Sequence, residues 1–146
     1  MTTDSRGPSS LRDAYVATTY VAHDRDSEFR IRIGARCNEL DTMLEQRKIS
    51  TWAFITACNP GSKLMAREQN EAAMALFRND VVAAGFRFLE GEGVPDALHG
   101  AGWLPEPSLL ILDIARDAAM KLAGKYGQRA IVAGALHQPA ELVMLD

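Results

Sequence analysis

Two runs in this chain have no polar face. Trp52-Ala-Phe-Ile-Thr-Ala-Cys58 places Trp52, Phe54 and Cys58 on one side of an extended backbone and Ala53, Ile55 and Ala57 on the other. Residues 108–112, Ser-Leu-Leu-Ile-Leu, are apolar almost throughout. A strand with two apolar faces must be covered on both, so each run belongs near the middle of a sheet that carries helices. Pro60 ends the first run, and a helical pattern runs from Lys63 to Ala84. Its stripe is Ala73, Phe77, Val81 and Ala84, and Gly85 is a natural stop.

The other elements follow from periodicity. Ala14 to Val21 is rich in β-branched and aromatic residues and predicts a strand. Glu28 to Ile33 alternates, with Phe29, Ile31 and Ile33 opposite Arg30 and Arg32. The polar stretch His23–Ser27 between them predicts a hairpin. Cys37, Leu40, Met43, Leu44 and Arg47 recur at helical spacing, giving a helix over about 35–47. A short strand is expected over Phe86–Glu90, then a Gly-rich loop from Gly91 to Trp103. Ile114, Ala115, Ala118, Ala119 and Leu122 predict a third helix, closed by Gly124 or Gly127. Strands at Arg129–Ala133 and Glu141–Leu145 complete the chain, joined at His137-Gln138-Pro139. The expected class is α+β: one domain over 13–146, a mixed β-sheet with about three helices, in the order ββαβαββαββ. Residues 1–12 are polar, lack the apolar core of a signal peptide and read as a flexible tail.

Charge narrows the function. A net charge of −3 and a pI near 5.6 argue against nucleic acid or an anionic membrane as the main partner, because both need a basic face. No apolar run is long enough to span a bilayer. Cys37 and Cys58 form no CxxC and have no histidine close in sequence. They read as reduced, packed thiols of a cytoplasmic protein.

The candidate chemistry gathers where the first apolar run turns into a helix. Ser62 is placed to cap that helix and Asn59 to hold the turn. Both can be purely structural. Lys63 and Arg67, four residues apart, are expected on one face of the first turns, where the helix dipole disfavours cations by about 0.3–1 kcal/mol each. A bound anion would relieve that cost. The competing reading pairs Arg67 with Glu71 and leaves Lys63 in solvent. Glu106 enters an apolar strand, so it must be paired, exposed or functional. Gln128, at the start of another buried strand, can bond a ligand or merely the loop backbone. Glu90, Glu92, Asp96, His99 and Glu106 match no metal spacing, and a solvated loop is the simpler reading of that stretch.

Three separated segments carry a family resemblance: Trp52-Ala-Phe-Ile-Thr-Ala-Cys-Asn-Pro-Gly-Ser62, Trp103-Leu-Pro-Glu-Pro-Ser108 and Tyr126-Gly-Gln-Arg-Ala-Ile-Val132. In this order they resemble a family of small bacterial proteins catalogued as a domain of unknown function. The resemblance covers most of the chain, from about Tyr15 onward, and implies a stand-alone bacterial cytosolic domain without an assigned activity. The family usually has an aromatic residue where this chain has Cys58. A Ser-x-x-Glu-Asn-like start to the following helix is also common there; this chain has Ala66-Arg67-Glu68-Gln69-Asn70.

The reading that results is a domain binding a small anionic metabolite or nucleotide at the turn from Asn59 to Arg67. Asn59, Ser62, Lys63, Arg67, Asn70 and Gln128 are the candidate ligand-binding residues, and Glu106 is the candidate general base. No metal site is expected and no cofactor is specified. The alternative is a non-catalytic interaction module or homodimer that uses the Trp103 loop or a sheet edge.

Overall fold

A computed structural model of the chain describes residues 8–96 and 104–145. The elements are α1 (Pro8–Ala17), β1 (Thr19–Asp24), β2 (Ser27–Ile31), α2 (Asn38–Arg47), β3 (Thr51–Ile55), α3 (Arg67–Ala83), β4 (Arg87–Val94), β5 (Glu106–Leu112), α4 (Arg116–Lys125), β6 (Ala130–Ala135) and β7 (Glu141–Met144). A single 3-10 turn, Pro60–Ser62, lies between β3 and α3. Leaving aside α1 and that turn, the order is the expected ββαβαββαββ, and the class is α+β.

The sheet has seven strands in the order β2-β1-β4-β5-β3-β6-β7. All six ladders are antiparallel. This corrects the expectation of a mixed sheet. The reason lies in two interleaved crossovers. The connection through α3 carries the chain from β3 past β5 to β4, and the one through α4 carries it from β5 past β3 to β6. Each crossover joins strands of the same direction, yet the strand between them belongs to the other crossover. Same-direction strands therefore never touch, which is the split βαβ plan.

The central placement of the two apolar runs holds, but the first strand ends at Ile55, and Cys58 packs with Ala53 and Ile55 rather than with Trp52 and Phe54. β5 and β3 are the fourth and fifth strands of the seven. Trp52, Phe54, Leu110 and Leu112 share a core with Leu40, Met43 and Leu44 of α2 and with Ile49. Ala53, Ile55, Leu109 and Ile111 face α3 and α4, packing on Met74, Phe77, Val81, Ala119 and Ala123. The sheet curls around α2 until its two ends approach. Gly34 N donates to Ala140 O at 2.8 Å and Ala140 N donates to Ala35 O at 3.1 Å. Ile33 and Ala140 form an isolated parallel bridge there.

Three elements differ from expectation. Residues 8–12, expected in the tail, begin α1, and Ala14–Ala17, expected as strand, end it. Only Thr19 onward is extended. The β-rich composition is overridden by local bonds: Thr18 Oγ1 donates to Ala14 O at 2.8 Å, and Tyr15 O accepts from Tyr20 Oη at 2.8 Å. Lys63 to Ala66 are not helical. Lys63 is extended (φ −108, ψ 129), and α3 starts at Arg67 with Ala66 as its N-cap. Glu90 to Val94, expected partly as loop, continue β4. Gly91 is needed there because a Cβ would lie 2.4 Å from Val21 O of the neighbouring strand. Trp103, His99 and residues 1–7 lie outside the described residues. Among the described residues no helix is long and apolar enough to cross a membrane.

Candidate functional site

The antiparallel register explains why distant segments meet. Ile55 pairs with Leu109 and Phe54 with Val132, so the end of β3 lies between the starts of β5 and β6. The residues just after β3, at the head of β5 and just before β6 thus share one end of the sheet.

Asn59 is the hub. It is 7% exposed and left-handed (φ 49, ψ 58), a conformation that asparagine tolerates better than other residues with a side chain. Its Nδ2 donates to Glu106 Oε2 at 2.7 Å. Its Oδ1 accepts from Met65 N at 2.9 Å and from Asn70 Nδ2 at 2.9 Å. Its own N–H donates to Asn70 Oδ1 at 2.9 Å. Asn59 and Asn70 thus clamp the 59–66 loop onto the first turns of α3.

Gln128 anchors the same loop from the β6 side. Its Nε2 donates to Cys58 O at 3.0 Å, while Gly61 N donates to Gly127 O at 2.8 Å. Thr56 Oγ1 donates to Pro107 O at 2.7 Å and accepts from Cys58 N at 3.0 Å, tying the exit of β3 to β5. Ser62 does not cap α3. Its backbone is left-handed (φ 62), and its Oγ lies 3.4 Å from Tyr15 Oη. The cap is instead one-armed. Ala66 N donates to Gln69 Oε1 at 3.2 Å, and Ala66 has no side-chain acceptor to return the bond.

The two cations are not stacked on a helix face as expected, because Lys63 precedes the helix. Lys63 is exposed. Arg67 pairs with Glu71 at 3.1 Å with its side chain 88% exposed. The ion-pair reading of Arg67 is therefore realised.

The electrostatics centre on Glu106. Burial raises its carboxyl pKa above the ordinary value, and the bond from Asn59 pulls partly the other way. Its charge reaches three neighbours. The Tyr15 hydroxyl is raised by burial, lowered by its bond to Ser62, raised by Glu106 and lowered by Arg129. The Tyr20 hydroxyl is raised chiefly by burial, with Tyr15 and Glu106 adding to it. The Cys58 thiol is raised by burial and by Glu106 against a lowering bond from Thr56. A raised thiol pKa makes Cys58 a poor nucleophile.

Glu90 is held by both Nε and Nη2 of Arg78, at 2.7 and 2.9 Å. Among the described residues no group of three or more His, Cys, Asp or Glu side chains is arranged to hold a metal ion.

The model of a family described as a protein of unknown function, DUF3293, matches residues 55–131. The chain belongs to that family. No curated protein and no solved structure matches it. The span matched to the DUF3293 family starts in β3 and ends in β6, so it contains both interleaved crossovers. It also contains Asn59, Ser62, Lys63, Arg67, Asn70, Glu106 and Gln128. The three motifs that carry the resemblance each place one polar group at this end of the sheet: Asn59, Glu106 and Gln128. Tyr15 stands outside the matched span and was missed in the sequence. No spacing links it to Ser62, and its segment reads as strand.

Proposed function

We propose that this is a bacterial cytosolic domain that binds a small anionic metabolite, such as a nucleotide, against the loop from Asn59 to Arg67. Glu106, with the Tyr15 and Ser62 hydroxyls, forms the inner end of the site. Lys63 and Arg67 form its outer, cationic end. The observation that carries the reading is the meeting of the three motifs around a half-buried carboxylate whose bonded partner is a neutral amide rather than a cation. A carboxyl held this way costs stability, and a ligand-facing role gives a reason to keep it. Should the bound compound react, Glu106 is the group suited to act as general base.

The test is a thermal-shift and amide chemical-shift screen with nucleotides and phosphorylated metabolites. Arg67→Ala should weaken binding by about 1.5–3 kcal/mol if Arg67 bonds the anion directly. Folding stability should fall by less than about 1 kcal/mol, since the Arg67–Glu71 pair is exposed. No perturbation at the amides of residues 59–67 by any of these compounds would defeat the reading. A non-catalytic interaction module is the second reading. It draws on Leu104, which follows Trp103 in the sequence and is 80% exposed, and on Leu64, 64% exposed in the 59–66 loop. Light scattering showing a dimer that Leu104→Ser dissolves would favour it.

A further inference from the structure

Backbone groups settle which way the Asn59 and Asn70 amides point. Met65 N donates to Asn59 Oδ1, and Asn59 N donates to Asn70 Oδ1, each at 2.9 Å. A backbone N–H can only donate, so each side chain has a single permitted orientation. Asn70 Nδ2 then supplies the second donor to Asn59 Oδ1 at 2.9 Å. Asn59 Nδ2 is turned toward Glu106 Oε2 at 2.7 Å. That oxygen is committed as an acceptor. Among the described residues no donor is bonded to Oε1. The titratable groups whose interactions reach this carboxyl are Tyr15 of α1, Tyr20 of β1 and Cys58 after β3; Arg129 acts on Tyr15 from the opposite side.

We infer that Asn59 and Asn70 are positioning residues that reserve Glu106 Oε1 for a ligand presenting a hydrogen-bond donor, so that the anion taken here is a hydroxyl-bearing one of the sugar-phosphate type. The inference rests on the proposed binding at the 59–67 loop and adds the chemistry of the contacting group. An anion with acceptors alone, such as sulfate, would set lone pairs against the lone pairs of Oε1. A hydroxyl would donate to them. Asn70 acts only through Asn59, and Asn59 only through Glu106.

Two experiments separate this inference from the reading beneath it. In the ligand-free protein, the Glu106 carboxyl carbon is titrated by NMR in wild type, Asn70→Ala and Asn59→Gly, with the amide spectrum reporting folding. Glycine suits the left-handed backbone at position 59. Both variants should move the Glu106 midpoint upward, because the amide donor that lowers it is loosened or lost. A folded Asn70→Ala or Asn59→Gly with the wild-type midpoint overturns the positioning role. The second experiment titrates wild type and Glu106→Gln with ribose 5-phosphate and with sodium sulfate. Wild type should bind ribose 5-phosphate at least tenfold more tightly. Glutamine turns its carbonyl to Asn59 and its NH2 to the ligand, so the variant should bind sulfate more tightly and ribose 5-phosphate more weakly than wild type. Equal binding of the two probes by wild type, or an unchanged preference in Glu106→Gln, overturns the ligand class. Binding of neither probe to wild type overturns the ligand class, while the anion-binding reading falls only if the nucleotides and other phosphorylated metabolites also leave the amides of residues 59–67 unperturbed; the carboxyl titration stands as a separate result.

Discussion

The Asn59 amide nitrogen lies 2.7 Å from the Glu106 carboxylate, although 47 residues separate them in the chain. The contact joins the turn after β3 to the head of β5. It exists because those strands are antiparallel neighbours.

The left-handed backbone of Asn59 makes a first expectation. Asn59→Ala and Asn59→Gly lose the same side-chain bonds, but a Cβ in the left-handed region costs about 1 kcal/mol more than glycine. Urea denaturation should rank wild type above Asn59→Gly, and Asn59→Gly above Asn59→Ala by about that amount. Equal stability of the two variants would show that the turn relaxes out of the left-handed region.

Glu106 makes stability depend on pH. Its pKa in the folded protein is raised above the ordinary 4.5, so the folded state holds the proton more tightly than the unfolded chain. Its contribution is therefore fully present below about that value and is lost as pH rises through the folded pKa. Glu106→Gln removes the titration and keeps an acceptor for Asn59. Thermal unfolding should show the variant more stable than wild type at pH 7, with the gap closing toward pH 4. A gap independent of pH would mean that Glu106 titrates as an exposed carboxylate.

The one-armed cap of α3 invites completion. Gln69 already accepts from Ala66 N, and Ala66 returns nothing. Ala66→Ser supplies the missing oxygen to a first-turn N–H, which stabilises helices by about 0.5–1 kcal/mol. Chemical denaturation should show that gain. A loss would indicate that the serine hydroxyl is drawn elsewhere.

Gly134 leaves no room for a side chain. A Cβ there would lie 2.3 Å from Cζ2 of Trp52, whose ring is buried against the α2 face. Gly134→Ala should destabilise by about 1–3 kcal/mol, the range for overpacking a core. The indole emission of Trp52 should shift as the ring is displaced. An unperturbed stability would place the indole elsewhere.

Residues whose meaning is local were legible in the chain. The apolar Trp52–Ala57 and Leu109–Leu112 runs carry their central placement in their composition, because no other place buries both faces. Arg67 and Glu71 are one helical turn apart, and their pairing follows from that spacing alone. The start of α3 is not legible in the chain, because Ser62 and Lys63 fit a helix N-terminus locally. The turn that displaces them is held by Gly127 O and by Asn70, which lie far along the chain or inside the helix itself. Nor is α1 legible, because its β-rich residues are held helical by bonds to Thr18 and Tyr20 that periodicity does not report.

Local patterning along the chain carries the α+β class, the alternation of strands and helices from β1 to β7, and the polar residues after β3 and before β5 and β6. Hydrophobic periodicity and turn chemistry are properties of a dozen neighbouring residues. The tertiary structure decided that the sheet is antiparallel throughout, because strand neighbours depend on how two crossovers interleave. It also decided that Asn59, Asn70, Glu106 and Gln128 belong to one end of the sheet, with Tyr15 brought to Ser62. Those contacts span up to 70 residues, and only the register of packed strands sets them.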